Sequence, residues 1–247
     1  MTSYKFLQYN TDALRLGWDT LEKASSGVDF LLLQRFPKEK QKELCNITGK
    51  AFLTESINPG GWCLAIGRAD GLSSVGCIET IQLPSTQLIQ AVGDPWQGCS
   101  ALKGIYNGIN LVSFLPCFPE NVGEYPVTKA DNENDIESLL STLADTPSII
   151  AGDFHFSPSD KNINDLLEKY GFKSYLDGHK TFKNPNGHMI NLDKLVSNFE
   201  IEVSDIVVHT EKMEEIAQGH FPITYTISWN LNNCLLYTSD AADETTG

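Results

Sequence analysis

Carboxylate, imidazole and amide side chains occur where apolar segments of this chain end. They are Asn10, Asp12, Gln34, Arg35, Asp153, His155, Asp193 and His220. In α/β proteins, ligands bind at the ends of strands, so we expect these side chains to converge on one pocket. Three carboxylates and two histidines in such a pocket would provide groups for acid–base chemistry.

Apolar runs predict the strands that would position these residues. The predicted strands cover residues 4–10, 28–36, 62–68, 75–83, 109–116, 147–154, 191–198, 199–208 and 221–229. Several of these runs are continuous rather than alternating, which is typical of strands that are covered on both faces.

Three helices are predicted between the strands. The stripe of Leu14, Trp18 and Leu21 indicates a helix over 12–25, and further helical patterns cover 131–145 and 159–171. Helices and strands mix without strict alternation. This pattern favours one layered α/β or α+β domain over a simple doubly wound sheet.

The composition limits the classes of function. The net charge is −14 and no cluster of Lys and Arg occurs, which argues against tight non-specific binding of nucleic acid. The six cysteines form no CxxC pair, and no apolar run is long enough to span a membrane. We therefore expect a soluble, cytoplasmic and monomeric protein without a membrane partner.

The last residues differ in character from the rest of the chain. The segment 234–244, "CLLYTSDAADE", resembles a translated sequencing adaptor, and the alternative is an ordinary short polar tail. We interpret 234–247 as an artefactual tail and 1–233 as a single domain.

Five segments, in order, resemble the endonuclease/exonuclease/phosphatase superfamily. They are "YNTDALRLGW", "VDFLLLQRFP", "IIAGDFHFSPSD", "KTFKNPNGHMINLDKLVSN" and "GHFPITYTI". The first is most similar to the Asn-x-Asp-x-Leu-Arg form of abasic-site endonucleases. The resemblance implies a deoxyribonuclease I-like, four-layer α/β (α+β) sandwich, in which helices flank two central mixed β-sheets.

The resemblance also implies roles for particular residues. Asp153 would orient the attacking water, and Asn10 would bind a phosphate oxygen. His220, held by Asp193, would polarise the phosphate. Arg35 and His155 depart from the family, and in a functional interpretation of these departures both would contact the phosphate. The implied cofactor is Mg²⁺ or Mn²⁺ with Asp12 as a ligand, and the implied partner is a phosphate-ester substrate or ligand, nucleic acid among the candidates.

The sequence departs from the family at its metal site. Arg35 replaces a metal-binding Glu, Gly219 replaces an Asp, and His155 replaces an Asn. The position of a family Tyr or His falls at Phe114 or Ser113. Like charges ~4 Å apart repel by ~4 kcal/mol at an effective dielectric constant of ~20, which corresponds to ~1,000-fold weaker binding of the ion.

Arg35 therefore has more than one interpretation. Its guanidinium could bind a phosphate in place of the metal, or it could form an ion pair with Asp12 or Asp153. A register error in the alignment would instead bring Glu39 or Glu43 near. The leading functional hypothesis is a phosphoester hydrolase with a degenerate metal site. The alternatives are an inactive module that binds a phosphate ligand or a protein, and an unrelated α/β protein.

Overall fold

The computed structural model describes most of the chain. The described residues are 1–48, 51–56, 62–68, 75–85, 100–116, 121–122, 125–126, 128–157 and 159–230. The segment 234–247, interpreted above as a tail, lies outside them.

The first of two large sheets contains six strands. Their order across the sheet is β15 (Glu202–Val208), β17 (Ile223–Trp229), β1 (Thr2–Asn10), β2 (Phe30–Pro37), β4 (Trp62–Arg68) and β3 (Ala51–Ser56). β1 and β2 are parallel, and the other neighbours are antiparallel. This sheet is therefore mixed.

The second large sheet is also mixed and six-stranded. Its order is β11 (Lys173–Ser174), β14 (Asp193–Ser197), β10 (Ser148–Asp153), β7 (Ile109–Leu115), β6 (Ser100–Tyr106) and β5 (Val75–Ile81). Only β7 and β10 pair in parallel here.

Two smaller sheets complete the strands of the described chain. One has the order β13 (Met189–Ile190), β12 (Phe182–Lys183) and β16 (Gly219–His220), and the other pairs β8 (Asn121–Val122) with β9 (Tyr125–Pro126).

Helices cover the outer face of each large sheet. α1 (Trp18–Ser25) and α2 (Gln41–Thr48) contribute Leu21 and Leu44 to a buried cluster with the first sheet. On the second sheet, α3 (Lys129–Leu143) and α4 (Lys161–Lys169) bury apolar residues against β7 and β10. α3 begins with a capping box, in which Thr128 and Asp131 bond each other's backbone N–H.

A central core lies between the two large sheets. It contains Phe30 and Tyr225 from the first sheet and Leu111, Ile149 and Leu195 from the second, all fully buried. The result is a four-layer sandwich with helices outside and sheets inside. This confirms the predicted fold class.

One predicted helix is wrong in its first half. Residues Asp12–Leu14 form a single 3₁₀ turn, and the α-helix begins only at Trp18. Gly17 between them has φ +81°, a left-handed conformation that a continuous helix does not allow. The apolar stripe alone did not reveal this break.

Within the described ranges, no helix combines the length and the hydropathy that crossing a bilayer requires.

Candidate active site

The pairing of strands brings four of the predicted residues to one edge of the sandwich. Asn10 ends β1 beside Gln34 of β2, and Asp153 ends β10 directly opposite Asp193 of β14. Although β1 and β10 belong to different sheets, the side chain of Asn10 donates from Nδ2 to Asp153 Oδ2 at 2.9 Å. The edge is therefore a junction of both sheets.

Asp153 is the centre of this hydrogen-bonded group. Besides the bond from Asn10, its Oδ1 accepts from the backbone N–H of His155 at 3.0 Å, and its Oδ2 lies 3.1 Å from Nε2 of His220. Asp153 is fully buried. Burial alone would raise its pKa, but the attraction of His155 and His220, together with these hydrogen bonds, lowers it below the usual range. The carboxylate is ionised at neutral pH.

His220 lies between two carboxylates. Its Nδ1 is 3.1 Å from Asp193 Oδ2, opposite the contact with Asp153. Burial alone would lower the pKa of His220, but the two carboxylates raise it to about 10. The ring is thus an imidazolium at pH 7. Burial raises the pKa of Asp193, which the imidazolium partly opposes.

Short elements hold this histidine and its partner in place. β16 pairs with β12 so that His220 lies opposite Phe182, and the two rings have centroids 4.6 Å apart. The hydroxyl of Thr181 accepts from the backbone N–H of Asp193 at 3.3 Å. Thr181 and Phe182 therefore border the site.

His155 is a neutral neighbour. Its side chain is 5% exposed, and its Nδ1 lies 3.2 Å from Asp153 Oδ1. Burial lowers the pKa of His155 to about 4, and this outweighs the attraction of Asp153; the nearby positive charge of Arg35 acts in the same direction as burial. The site thus contains one charged and one neutral imidazole.

Two buried glutamines join the sheets beneath the site. Gln8 donates from Nε2 to the carbonyl of Gly152 at 3.1 Å, and Gln34 donates to Ser113 Oγ at 2.8 Å and to the carbonyl of Ala151 at 3.4 Å. These bonds fix the last residues of β10 before Asp153.

Gly152 allows β10 and β7 to pack closely next to Asp153. A Cβ at this position would lie 1.9 Å from the carbonyl oxygen of Phe114, a backbone atom that cannot rotate away. Gly152→Ala is therefore expected to destabilise the fold by about 1–3 kcal/mol or more and to displace Asp153. Thermal unfolding would measure the loss. The control is Gly178→Ala, because no atom lies within 4 Å of that Cβ; equal melting temperatures for the two variants would contradict the prediction.

Arg35 lies on the solvent side of the site. A β-bulge interrupts the pairing of β2 with β4 between Leu33 and Phe36, and Arg35 has φ +50°. Bulges change the direction in which a side chain points. Nη1 of Arg35 is 3.7 Å from Asp12 Oδ1, while Nε of Arg15 is 2.9 Å from Asp12 Oδ2. Of the two expected ion-pair partners for Arg35, the structure thus shows Asp12.

Comparison with solved structures identifies the architecture. An endonuclease/exonuclease/phosphatase from Bacteroides vulgatus is 12% identical and has a TM-score of 0.67, with 93% of this chain and 100% of that chain covered. Danio rerio TDP2 complexed with a single-strand DNA product is 14% identical with a TM-score of 0.63, over 93% and 100% of the two chains. A mannosyl-6-phosphatase from Bacteroides thetaiotaomicron is 14% identical with a TM-score of 0.60, over 92% and 100%.

The chain has the endonuclease/exonuclease/phosphatase fold. It matches no protein-family model and no curated protein.

Proteins with this fold are typically dependent on a divalent metal ion, and two groups of side chains here contain carboxylates that could face one. By spacing alone, Asp153, Asp193 and His220 could hold an ion, since one ligand atom from each lies within 4.8 Å of the others. However, both ring nitrogens of His220 already face the carboxylates of Asp153 and Asp193, and Mg²⁺ retains several waters that these buried groups leave little space for. In the second group, Asp12 is already paired with two arginines. Neither donor set fits Mg²⁺ as the side chains stand.

All seven site residues predicted from the sequence lie at this edge of the endonuclease/exonuclease/phosphatase fold. Sequence reasoning missed Arg15, although its i, i+3 spacing from Asp12 is a signal for an ion pair. It also missed Gln8, for which no local signal exists. Ser113 and Phe114 serve packing: Ser113 bonds the carbonyl of Leu33, and Phe114 is fully buried against Phe154.

Proposed function

We propose that this chain is a phosphoester hydrolase that acts through Asn10, Asp153, Asp193 and His220. One observation carries the proposal: side chains from four separate strands form one connected hydrogen-bonded group at the junction of the two sheets. Three buried ionisable groups in such a group are costly unless each is paired. Their arrangement supports a catalytic role over a purely structural one.

The proposed roles follow from charge and position. Asp153 is ionised and orients the attacking water. His220 is a cation and stabilises negative charge on the phosphoryl oxygens, while Asp193 fixes the orientation of the ring. Asn10 positions Asp153. Arg35 and His155 bind the phosphate; both are non-glycine residues in the left-handed region, at φ +50° and +58°. Such strain costs about 1–3 kcal/mol per residue and is typical of functional sites.

The proposed substrate is a phosphate ester of limited size. A solved structure with this fold shows TDP2 with a single-strand DNA product, and another is a mannosyl-6-phosphatase. For this chain, a net charge of −14 makes a long duplex less favourable than a small phosphate ester or a short single strand. We propose a phosphomonoester or phosphodiester without a long nucleic-acid footprint.

The alternative is an inactive protein that binds a phosphate ligand or a protein. It is favoured by the internal pairing of the site, since Asp153 and His220 are no more than 5% exposed and bond each other. In that case the group would serve stability or ligand binding rather than catalysis.

Hydrolysis assays decide between the two. Purified protein would be incubated with p-nitrophenyl phosphate, bis-p-nitrophenyl phosphate and an oligonucleotide containing an abasic site, with EDTA or with Mn²⁺. We expect wild type to hydrolyse at least one of these esters faster than a His220→Asn variant that is purified in parallel. Equal rates for wild type and variant on every ester would favour the inactive protein.

A further inference from the structure

The geometry points to a site in which the guanidinium of Arg35, rather than a divalent metal ion, supplies the positive charge that holds the phosphate. This inference rests on the proposed function, since it says which positive charge holds the phosphate at the same site.

The carboxylate that could attract a metal ion is already neutralised. Asp12 forms an ion pair with Arg15 at 2.9 Å and lies 3.7 Å from Arg35. A divalent ion would have to displace one guanidinium and would still be repelled by the other. Mg²⁺ is commonly bound through one or two carboxylates and keeps several waters, but here the one carboxylate already faces two cations.

Arg15 also occupies the space beside Gly219. A Cβ built on Gly219 would contact Cδ of Arg15 at 3.5 Å and Cδ1 of Ile216 at 3.3 Å. Nη1 of Arg15 donates to the neighbouring carbonyl of Gln218 at 3.0 Å. A cationic side chain, that of Arg15, therefore lies beside Gly219, the position at which the resemblance to the family implies an aspartate.

The amide of Asn10 is engaged within the protein. Its Oδ1 accepts from the backbone N–H of Asp12 at 3.2 Å, and its Nδ2 donates to Asp153. The oxygen that could coordinate an ion thus stabilises the turn that carries Asp12.

Arg35, in contrast, is available to a ligand. Its side chain is 33% exposed, and its 3.7 Å distance from Asp12 is longer than a hydrogen bond. The backbone of Arg35 is fixed independently, because Thr11 Oγ1 donates to its carbonyl at 2.8 Å. A planar guanidinium on a fixed backbone can bind two phosphate oxygens at once.

Two binding measurements that need no turnover test this inference. Electron paramagnetic resonance would follow the loss of free Mn²⁺ signal as protein is added, and calorimetry in EDTA would follow the binding of inorganic phosphate. With wild type, we expect no loss of the free Mn²⁺ signal at millimolar Mn²⁺, and we expect inorganic phosphate to bind. Arg35→Gln should weaken phosphate binding by about 10- to 100-fold.

Lys38→Gln is the matched control. Lys38 is an exposed cation three residues further along the chain, so its replacement removes the same charge and should leave phosphate binding within twofold. Arg35→Lys keeps the charge but loses the planar guanidinium that binds two oxygens at once. We expect this variant to bind phosphate with an affinity between those of wild type and Arg35→Gln. Equal weakening in Arg35→Gln and Lys38→Gln would overturn the inference, as would tight Mn²⁺ binding by wild type.

A converse variant tests the same point. Arg15→Gln with Arg35→Glu removes both guanidinium groups and places a new carboxylate opposite Asp12, so Mn²⁺ binding should appear. If the double variant and wild type bind Mn²⁺ equally, the assignment is wrong.

The outcomes separate this inference from the proposed function. Hydrolysis that requires bound Mn²⁺ would refute the role of Arg35 while the hydrolase stands. Phosphate binding through Arg35 without hydrolysis of any ester would refute the hydrolase and leave the binding site.

Discussion

Asp153→Asn is expected to lower kcat/KM for the best ester substrate by about 10²- to 10⁴-fold, the range typical of a group that moves or orients protons. Asparagine has nearly the same shape, so packing at this fully buried position is preserved. The charge is lost, however, and an amide has one oxygen where the carboxylate has two. If that oxygen takes the place of Oδ2 and accepts from Asn10 and His220, the N–H₂ group faces the backbone N–H of His155. The variant lacks the ionised carboxylate that orients the attacking water, and its amide cannot accept from all three donors.

Asp145→Asn is the control for this variant, because Asp145 is an exposed carboxylate just after α3, and its rate should match wild type. A second readout is the pKa of His220, followed by the NMR shift of its ring. The pKa should fall from its raised value near 10, since one of two flanking carboxylates is gone. Unchanged activity together with an unchanged His220 pKa would exclude the proposed role of Asp153.

His220→Asn is expected to destabilise the folded chain by about 3–5 kcal/mol at pH 8, because it leaves two buried carboxylates without their cation. One oxygen of Asp153 and one of Asp193 lie within 4.8 Å of each other, so their mutual repulsion is no longer offset. For a chain of this length, each kcal/mol lowers Tm by about 2–4 °C. Urea unfolding would give the free energy directly.

The pH dependence of the same variant is a sharper test. The pKa of His220 is about 10 in the folded chain and about 6.5 when unfolded. The folded wild type therefore binds the extra proton between these values, and the stability that this proton contributes is complete below pH 6.5 and lost as the pH rises through 10. His220→Asn should lack this loss.

The control for His220→Asn is His188→Asn, since His188 is exposed and its replacement should leave the curve of stability against pH unchanged. Lysines also titrate near pH 10, but they do so in all three proteins. Parallel curves for wild type and His220→Asn from pH 6.5 to 10 would show that the carboxylates do not raise the pKa of His220.

The sequence by itself determined most of the strands and the order of the site residues. Long apolar runs such as the one that forms β2 can be stable only when both faces are covered, so they predict central strands without tertiary information. Weakly patterned elements were not predicted. α2 spans two turns with one fully buried residue, Leu44, and β6 includes Gly104 within "SALKGIY", so neither has a clear periodicity.

Only the tertiary structure decided how the charged groups pair. From the sequence, Arg35 had two carboxylates as possible partners, and Arg15 lacked any assigned role. The left-handed residues at Asp12 and Arg35 and the break at Gly17 turn the loop after β1 so that both arginines approach Asp12. A pattern of residue types contains no information on such directions. Ion pairing depends on distances of a few ångströms, which are set by backbone angles and by neighbours far away in the chain.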